Sequence, residues 1–208
     1  MSKMKDVDFI RQALKALGSH TVYATGAFGA SIGNFPTQKQ RYYENTLKRC
    51  GSTAAKKVLT EASKAPCFAF DCVGLAKSLL WSWDAKADDI YGGAVYESNG
   101  VPDAGAGSGG LISYCTDVTT NFSNIVPGEL LWIDGHVGIY IGSGTAVECT
   151  TAWTGNVLKS AVLNVRSAKS GEYSRSWTKH GKLPWIQYGE PPKPEIVCPC
   201  CGARFIKE

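Results

Sequence analysis

The chain has 208 residues, a net charge of +4, 44% hydrophobic and 19% charged residues. That composition excludes a disordered chain, and the length allows a core that needs no disulfide staples. No run of five basic residues occurs, so no nucleic-acid partner is expected, and no stretch approaches the ~18 apolar residues of a membrane span.

The N-terminal segment places Phe9, Ile10, Ala13, Leu14 and Leu17 at helical spacing and predicts an amphipathic helix ending at Gly18. Asp6, Asp8, Arg11 and Lys15 interrupt any apolar run, so it does not read as a secretion signal. Synthesis in a cytoplasm without an export address is expected. Residues 19–36, rich in Gly, Thr and aromatics, read as loop with short extended pieces. Residues 38–63 read as two helices broken at Gly51, and a further helix starts at Asp71. Residues 98–110 read as a glycine-rich loop. From Pro127 the pattern changes to strands, ELLWI, HVGIYIG, TAVECT and NVLKSAVLNV, separated by Asp134-Gly135 and Ser143-Gly144 turns. WTKHGKLPWIQY predicts one more strand pair. Helices first and strands second point to an α+β fold, with N-terminal helices packed on an antiparallel sheet.

Two residues carry candidate chemistry. Cys72 falls at the first turn of a helix with Asp71 placed to cap it, where free amides favour a thiolate, the reactive form of cysteine. His136, one of three histidines, stands at a strand entry beside a turn, a place that exposes a ring while supporting it. Either residue alone is more often structural.

Together, FDCVGL, GHVGIYIG and AVECT resemble the NlpC-type papain-like peptidases that trim peptidoglycan stem peptides, most nearly those of phage and prophage endolysins. The resemblance implies a papain-like fold over residues 1–188, with Cys72 as nucleophile, His136 as base and Glu148 as the residue that orients the imidazole. The family more often has His at this third place; a carboxylate there can fix the tautomer and stabilise the imidazolium. It also implies an oxyanion tyrosine, matched by Tyr23, with Tyr42 and Tyr43 as alternatives. The separation from Tyr23 to Cys72 exceeds the family's, so a helical insertion at 38–63 is assumed. A two-residue turn at Ser143-Gly144 would put Glu148 opposite Ile139 and on the wrong face; a three-residue loop or a bulge would restore the face but not all of the distance, which leaves Asp134 open as an alternative orienter. Trp153 is a candidate wall of the substrate cleft.

The implied activity is hydrolysis of a stem-peptide amide in bacterial peptidoglycan through a thioester, as in a phage lysis enzyme that acts on the wall after release. An N-acetylmuramoyl-L-alanine amidase on the same fold and a non-catalytic wall-binding module are the alternatives. Thiol chemistry needs no cofactor. Cys50, Cys67, Cys115 and Cys149 sit at no ligand-like spacing and read as buried thiols. After a proline-rich linker at 189–197, the tail at 198–208 holds Cys198, Cys200 and Cys201 in a zinc-knuckle-like pattern. Structural zinc wants four ligands, so a metal there would be shared between two tails in a homodimer. A zinc-dependent interaction factor is the third functional class that this tail raises.

Overall fold

The computed structural model describes residues 2–103 and 107–189, with the backbone of Glu195–Val197 and Arg204–Ile206. The chain begins with β1 (Met4–Lys5) and α1 (Asp6–Gly18), which buries Phe9, Ala13 and Ala16 at helical spacing. Strands β2 (Thr21–Tyr23) and β3 (Phe28–Ser31) follow, then α2 (Pro36–Cys50) and α3 (Ser52–Ala62). Gly51 separates those helices at a φ of 84°, a left-handed conformation that costs glycine little. Next come β4 (Phe68–Phe70), which the periodicity did not reveal, and α4 (Cys72–Leu80), whose burial is almost complete.

The expected loop at 98–110 is only partly one. Its last residues open α5 (Ser108–Tyr114), drawn into a helix because Leu111 and Ile112 reach the core. The remaining strands are β5 (Thr116–Thr119), β6 (Leu130–Ile133), β7 (His136–Gly142), β8 (Thr145–Cys149) and β9 (Val157–Val162). They are followed by β10 (Ser174–Arg175), β11 (Lys179–Lys182), β12 (Ile186–Gln187) and an antiparallel hairpin of β13 (Glu195–Val197) and β14 (Arg204–Ile206).

The architecture is α+β, with a central helix on a mainly antiparallel sheet, as expected of a papain-like fold. The seven-stranded sheet has the order β10-β9-β8-β7-β6-β11-β5, and only its β9–β10 edge is parallel. Val137, Ile139, Val147 and Cys149 join Leu75, Ala76 and Leu79 of α4 in the main core. The other face buries Leu131, Tyr140, Ala146, Val162 and Trp177 in a separate cluster. The predicted strand pair at the C-terminal end is corrected. β11 lies between β6 and β5, whereas β12 pairs in parallel with β1. The turn from Leu183 to Ile186, closed by an N–H to O bond of 3.1 Å, redirects the chain between them.

A second sheet, β2-β4-β3, explains the helical insertion. β2 and β4 are parallel with Tyr23 opposite Phe70, two residues before Cys72. The intervening α2–α3 hairpin loops out without disturbing that register.

Candidate active site

Asp71 builds the surroundings of Cys72, the candidate nucleophile. Its carboxylate caps α4 by accepting from Gly74 N–H at 2.6 Å and also accepts from Gly26 N–H at 2.8 Å. A cap of this kind contributes about 1 kcal/mol. Here it also ties the β2–β3 turn to the helix start, reinforced by Asp71 N–H donating to Ala27 O at 2.8 Å. The glycine of D-C-V-G follows from that closeness, because a Cβ on Gly74 would lie 1.9 Å from Ala27 O.

Cys72 opens into a cavity of about 310 Å³ lined also by Tyr23, Arg49, Lys77 and Gly135. Burial, and next the charge of Asp71, push its thiol up to about 12, against the smaller opposing effect of the Val137 and Val73 amides. The thiolate expected from the helix N-terminus is therefore not the resting form: desolvation outweighs the amide dipoles. Tyr23 shares the cavity. Burial first, then Asp71 and Cys72, hold its phenol well above the ordinary value, so it remains a neutral donor. Tyr42 is fully buried in the cluster beneath α2, with Tyr43 packed against it, and neither lines the cavity.

The base side starts at the Asp134-Gly135 turn, with Gly135 at a φ of 74°. His136 is the first residue of β7, opposite Ile133. Its neighbours reach Cys72 from both sides: Gly135 lines the cavity, and the Val137 amide acts on the sulfur. Among the described residues no hydrogen bond joins the Cys72 thiol to the imidazole; such contacts often tighten only when substrate binds.

The register of β7 and β8 differs from that of a plain two-residue hairpin. Tyr140 faces Ala146 but Gly142 faces Thr145, so Ile141 is an extra residue. This bulge moves Val147 opposite Ile139 and turns Glu148 to the face of His136. Glu148 Oε2 lies 2.7 Å from His136 Nε2, while Asp134 is exposed in the turn. Gly138, between them on the same face, leaves the room: a Cβ there would meet the Trp177 ring at 2.8 Å and Glu148 Cβ at 3.5 Å.

Glu148 is fully buried and has two further partners absent from the sequence reading. Ser160 Oγ donates to Oε1 at 2.5 Å, and Arg175 donates to Oε2 from Nε at 3.0 Å, with Nη2 at 2.9 Å in the same ion pair. Burial by itself would raise the carboxyl; His136, Ser160 and Arg175 together hold it below its ordinary value. A carboxylate only accepts, so Nε2 carries the proton and Nδ1 keeps the lone pair of a base.

A stacked column supports this network. Trp177 lies face to face with the imidazole, with centroids 5.6 Å apart and planes at 17°. The Arg175 guanidinium sits 5.6 Å from the Trp177 centroid and 5.0 Å from that of Trp153, which stacks on Tyr173 at 4.9 Å. Trp153, half-exposed and at a φ of 57°, lines a second cavity of about 400 Å³ with Tyr23, Cys50 and Lys57 rather than the one at Cys72. Tyr23 is common to both.

No protein-family model and no curated protein matches the chain. Among the solved structures similar to it are two mycobacterial ones. One is the P60 domain of an antigen from Mycobacterium avium subspecies paratuberculosis, 17% identical with a TM-score of 0.43, covering 86% of this chain and 96% of that one. The other is the peptidoglycan hydrolase RipB of Mycobacterium tuberculosis, 16% identical with a TM-score of 0.41, covering 86% and 66%. The likeness is one of outline.

The other two histidines serve the framework. His20 bonds Glu61 Oε2 and Lys64 O, both at 2.8 Å, and His180 is buried against Glu129 and Asn121 O. Cys67 and Cys149 are buried, whereas Cys50 and Cys115 are partly exposed; all are free thiols. Burial pushes both Cys67 and Cys115 up to about 12. Among the described residues no group of three or more His, Cys, Asp or Glu is placed to hold a metal, and none forms a helix long and apolar enough to cross a membrane. Cys198, Cys200 and Cys201 lie outside the described residues.

Proposed function

We propose that the chain is a cysteine amidohydrolase acting on stem-peptide amides of bacterial peptidoglycan. The observation that carries this reading is the 2.7 Å contact from His136 Nε2 to Glu148. It fixes the tautomer whose free Nδ1 can take a proton, on a residue whose two neighbours both reach Cys72. Since the resting thiol is neutral, His136 removes its proton as the sulfur attacks the amide carbonyl. The negative oxygen is held by the Tyr23 hydroxyl and the Cys72 backbone N–H, a free donor at the start of α4. The imidazolium then protonates the leaving amine, and water, activated by the same ring, releases the acyl group from its thioester. Glu148 stabilises the imidazolium in both halves.

The D-C-V-G and G-H-V-G segments, through the family they resemble, direct the reading to peptidoglycan. The test is digestion of purified peptidoglycan, with soluble products identified by mass spectrometry and Cys72→Ala as control. New amino termini within the stem peptide mark an endopeptidase, whereas release at the muramic acid–alanine bond marks the amidase alternative. Equal release by the wild-type and Cys72→Ala proteins, or none by either, overturns the proposal.

A further inference from the structure

The cavity at Cys72 holds four charged side chains, Arg49, Asp71, Lys77 and Asp103. Three are already matched. Asp71 spends its oxygens on the Gly26 and Gly74 amides. Lys77, nearly buried, lies 2.5 Å from Asp103 Oδ1, and Tyr96 donates to Asp103 Oδ2 at 2.8 Å. Arg49 is left with no hydrogen-bond or ion-pair partner among the described residues, so the uncompensated charge of the cavity is positive.

A cation in the last turn of a helix needs no ligand to explain it, since the helix dipole favours it there, and Lys48 beside it is of that kind. The dipole does not account for an exposed arginine that lines the cavity of Cys72. The element carrying it is held in place: α2 packs along α3, and Lys57 of α3 bonds Thr154 O, in the loop that follows β8. The same hairpin supplies Cys50, Thr53, Ala54 and Lys57 to the second cavity, which Tyr23 also lines. It is also the segment by which this chain exceeds the expected distance between Tyr23 and Cys72. The insertion thus contributes to both of the cavities that Tyr23 lines.

We infer that the α2–α3 hairpin is the specificity element of the cleft and that Arg49 anchors a free carboxylate of the substrate beside the scissile amide. Arginine suits this task, because its planar fork matches a carboxylate with two parallel N–H donors and is never deprotonated at working pH. The preferred substrate is then an acidic peptide, and its neutral carboxamide is a poor one. This assignment rests on the hydrolase reading, and the experiment separates the two.

Matched synthetic peptides, one with a free carboxylate and one with a carboxamide at the flanking position, are compared with wild-type, Arg49→Ala and Arg49→Lys proteins. Binding of both peptides is measured in parallel on the Cys72→Ala background. Loss of a charge-assisted pair is expected to cut kcat/KM for the acidic peptide about ten- to hundredfold in Arg49→Ala, with partial recovery in Arg49→Lys. Cleavage of the carboxamide, whose oxygen accepts only as a neutral group, is expected to fall no more than severalfold, and that difference between the two substrates excludes a damaged fold. Wild-type cleavage with no carboxylate preference, or a preference that survives Arg49→Ala, overturns the assignment and leaves the hydrolase reading standing. No cleavage by any protein, with Arg49-dependent binding of the acidic peptide, overturns the hydrolase reading and sustains the anchor. Absence of both sinks the two together.

Discussion

Replacing Glu148 by Gln tests the orienting network, because the shape is kept while the charge is removed. Three donors converge on the carboxylate: His136 and Arg175 on Oε2, and Ser160 on Oε1. The Ser160 hydroxyl can turn and accept from an amide NH2. The glutamine oxygen therefore stays toward His136, and Nε2 keeps its proton. What is lost is the charge assistance to the imidazolium. Charge-assisted hydrogen bonds contribute about 1.5–3 kcal/mol against about 0.5–1.5 for neutral ones, a difference of ~1–2 kcal/mol. That predicts a five- to thirtyfold fall in kcat, by ~1.4 kcal/mol per factor of ten. KM should hold, since Glu148 does not line the cavity of Cys72. Glu148→Ala is a different perturbation, leaving three donors facing a hole. It should destabilise by ~3–5 kcal/mol and lower kcat by on the order of 10³. The assay is single-turnover cleavage of a stem-peptide substrate, with thermal unfolding of each variant. A folded Glu148→Gln protein with full kcat would show that the carboxylate is irrelevant to the base. A Glu148→Gln protein as impaired as Glu148→Ala would show that the predicted rotation of Ser160 does not occur.

Two further outcomes follow from the nucleophile side. With its thiol pushed up to about 12, Cys72 is protonated throughout the neutral range, so its alkylation by iodoacetamide should rise tenfold per pH unit from about pH 6 to about pH 9. Site-mapped mass spectrometry reads this rate, and a plateau near neutrality would reveal a preformed thiolate–imidazolium pair instead of general-base catalysis. Gly74→Ala would gain up to ~1 kcal/mol of helix propensity, yet its Cβ would lie 1.9 Å from a backbone oxygen. The expected net effect is a markedly lower melting temperature together with lost activity; a variant as stable as wild type would refute the close packing of α4 on the Ala27 turn.

What could be read in the sequence was local. Asp71 before an apolar helix and Asp134-Gly135 before an alternating strand are signals complete within a few residues, and both elements form where expected. The facing of His136 and Glu148 turns on Ile141, one extra residue in a hairpin, and periodicity gives no warning of a bulge when glycines flank the turn. Ser160, Arg175 and Trp177 escaped notice because they meet Glu148 and His136 only through the order of β7, β8, β9 and β10. Tyr23 was selectable by resemblance, but its place beside Cys72 depends on the parallel pairing of β2 with β4, which no local pattern encodes. The raised thiol was missed for a related reason. A helix start is visible in sequence, whereas the burial that outweighs it is a property of the packed chain.

The two faces of the central sheet divide labour in a way that bears on how such a site can change. Val137, Ile139, Val147 and Cys149 face the helix and help form the main core, while Glu148 holds the His136 ring from the other face, among Ser160, Arg175 and Trp177. The polar apparatus that tunes the imidazole therefore lies in a layer of its own, separated from the helix packing by the thickness of the backbone. An exchange of the orienting residue, with compensating changes at Ser160 and Arg175, would leave the helix seat untouched. A glutamate can thus serve at this place because its charge is settled among neighbours on one side of the sheet.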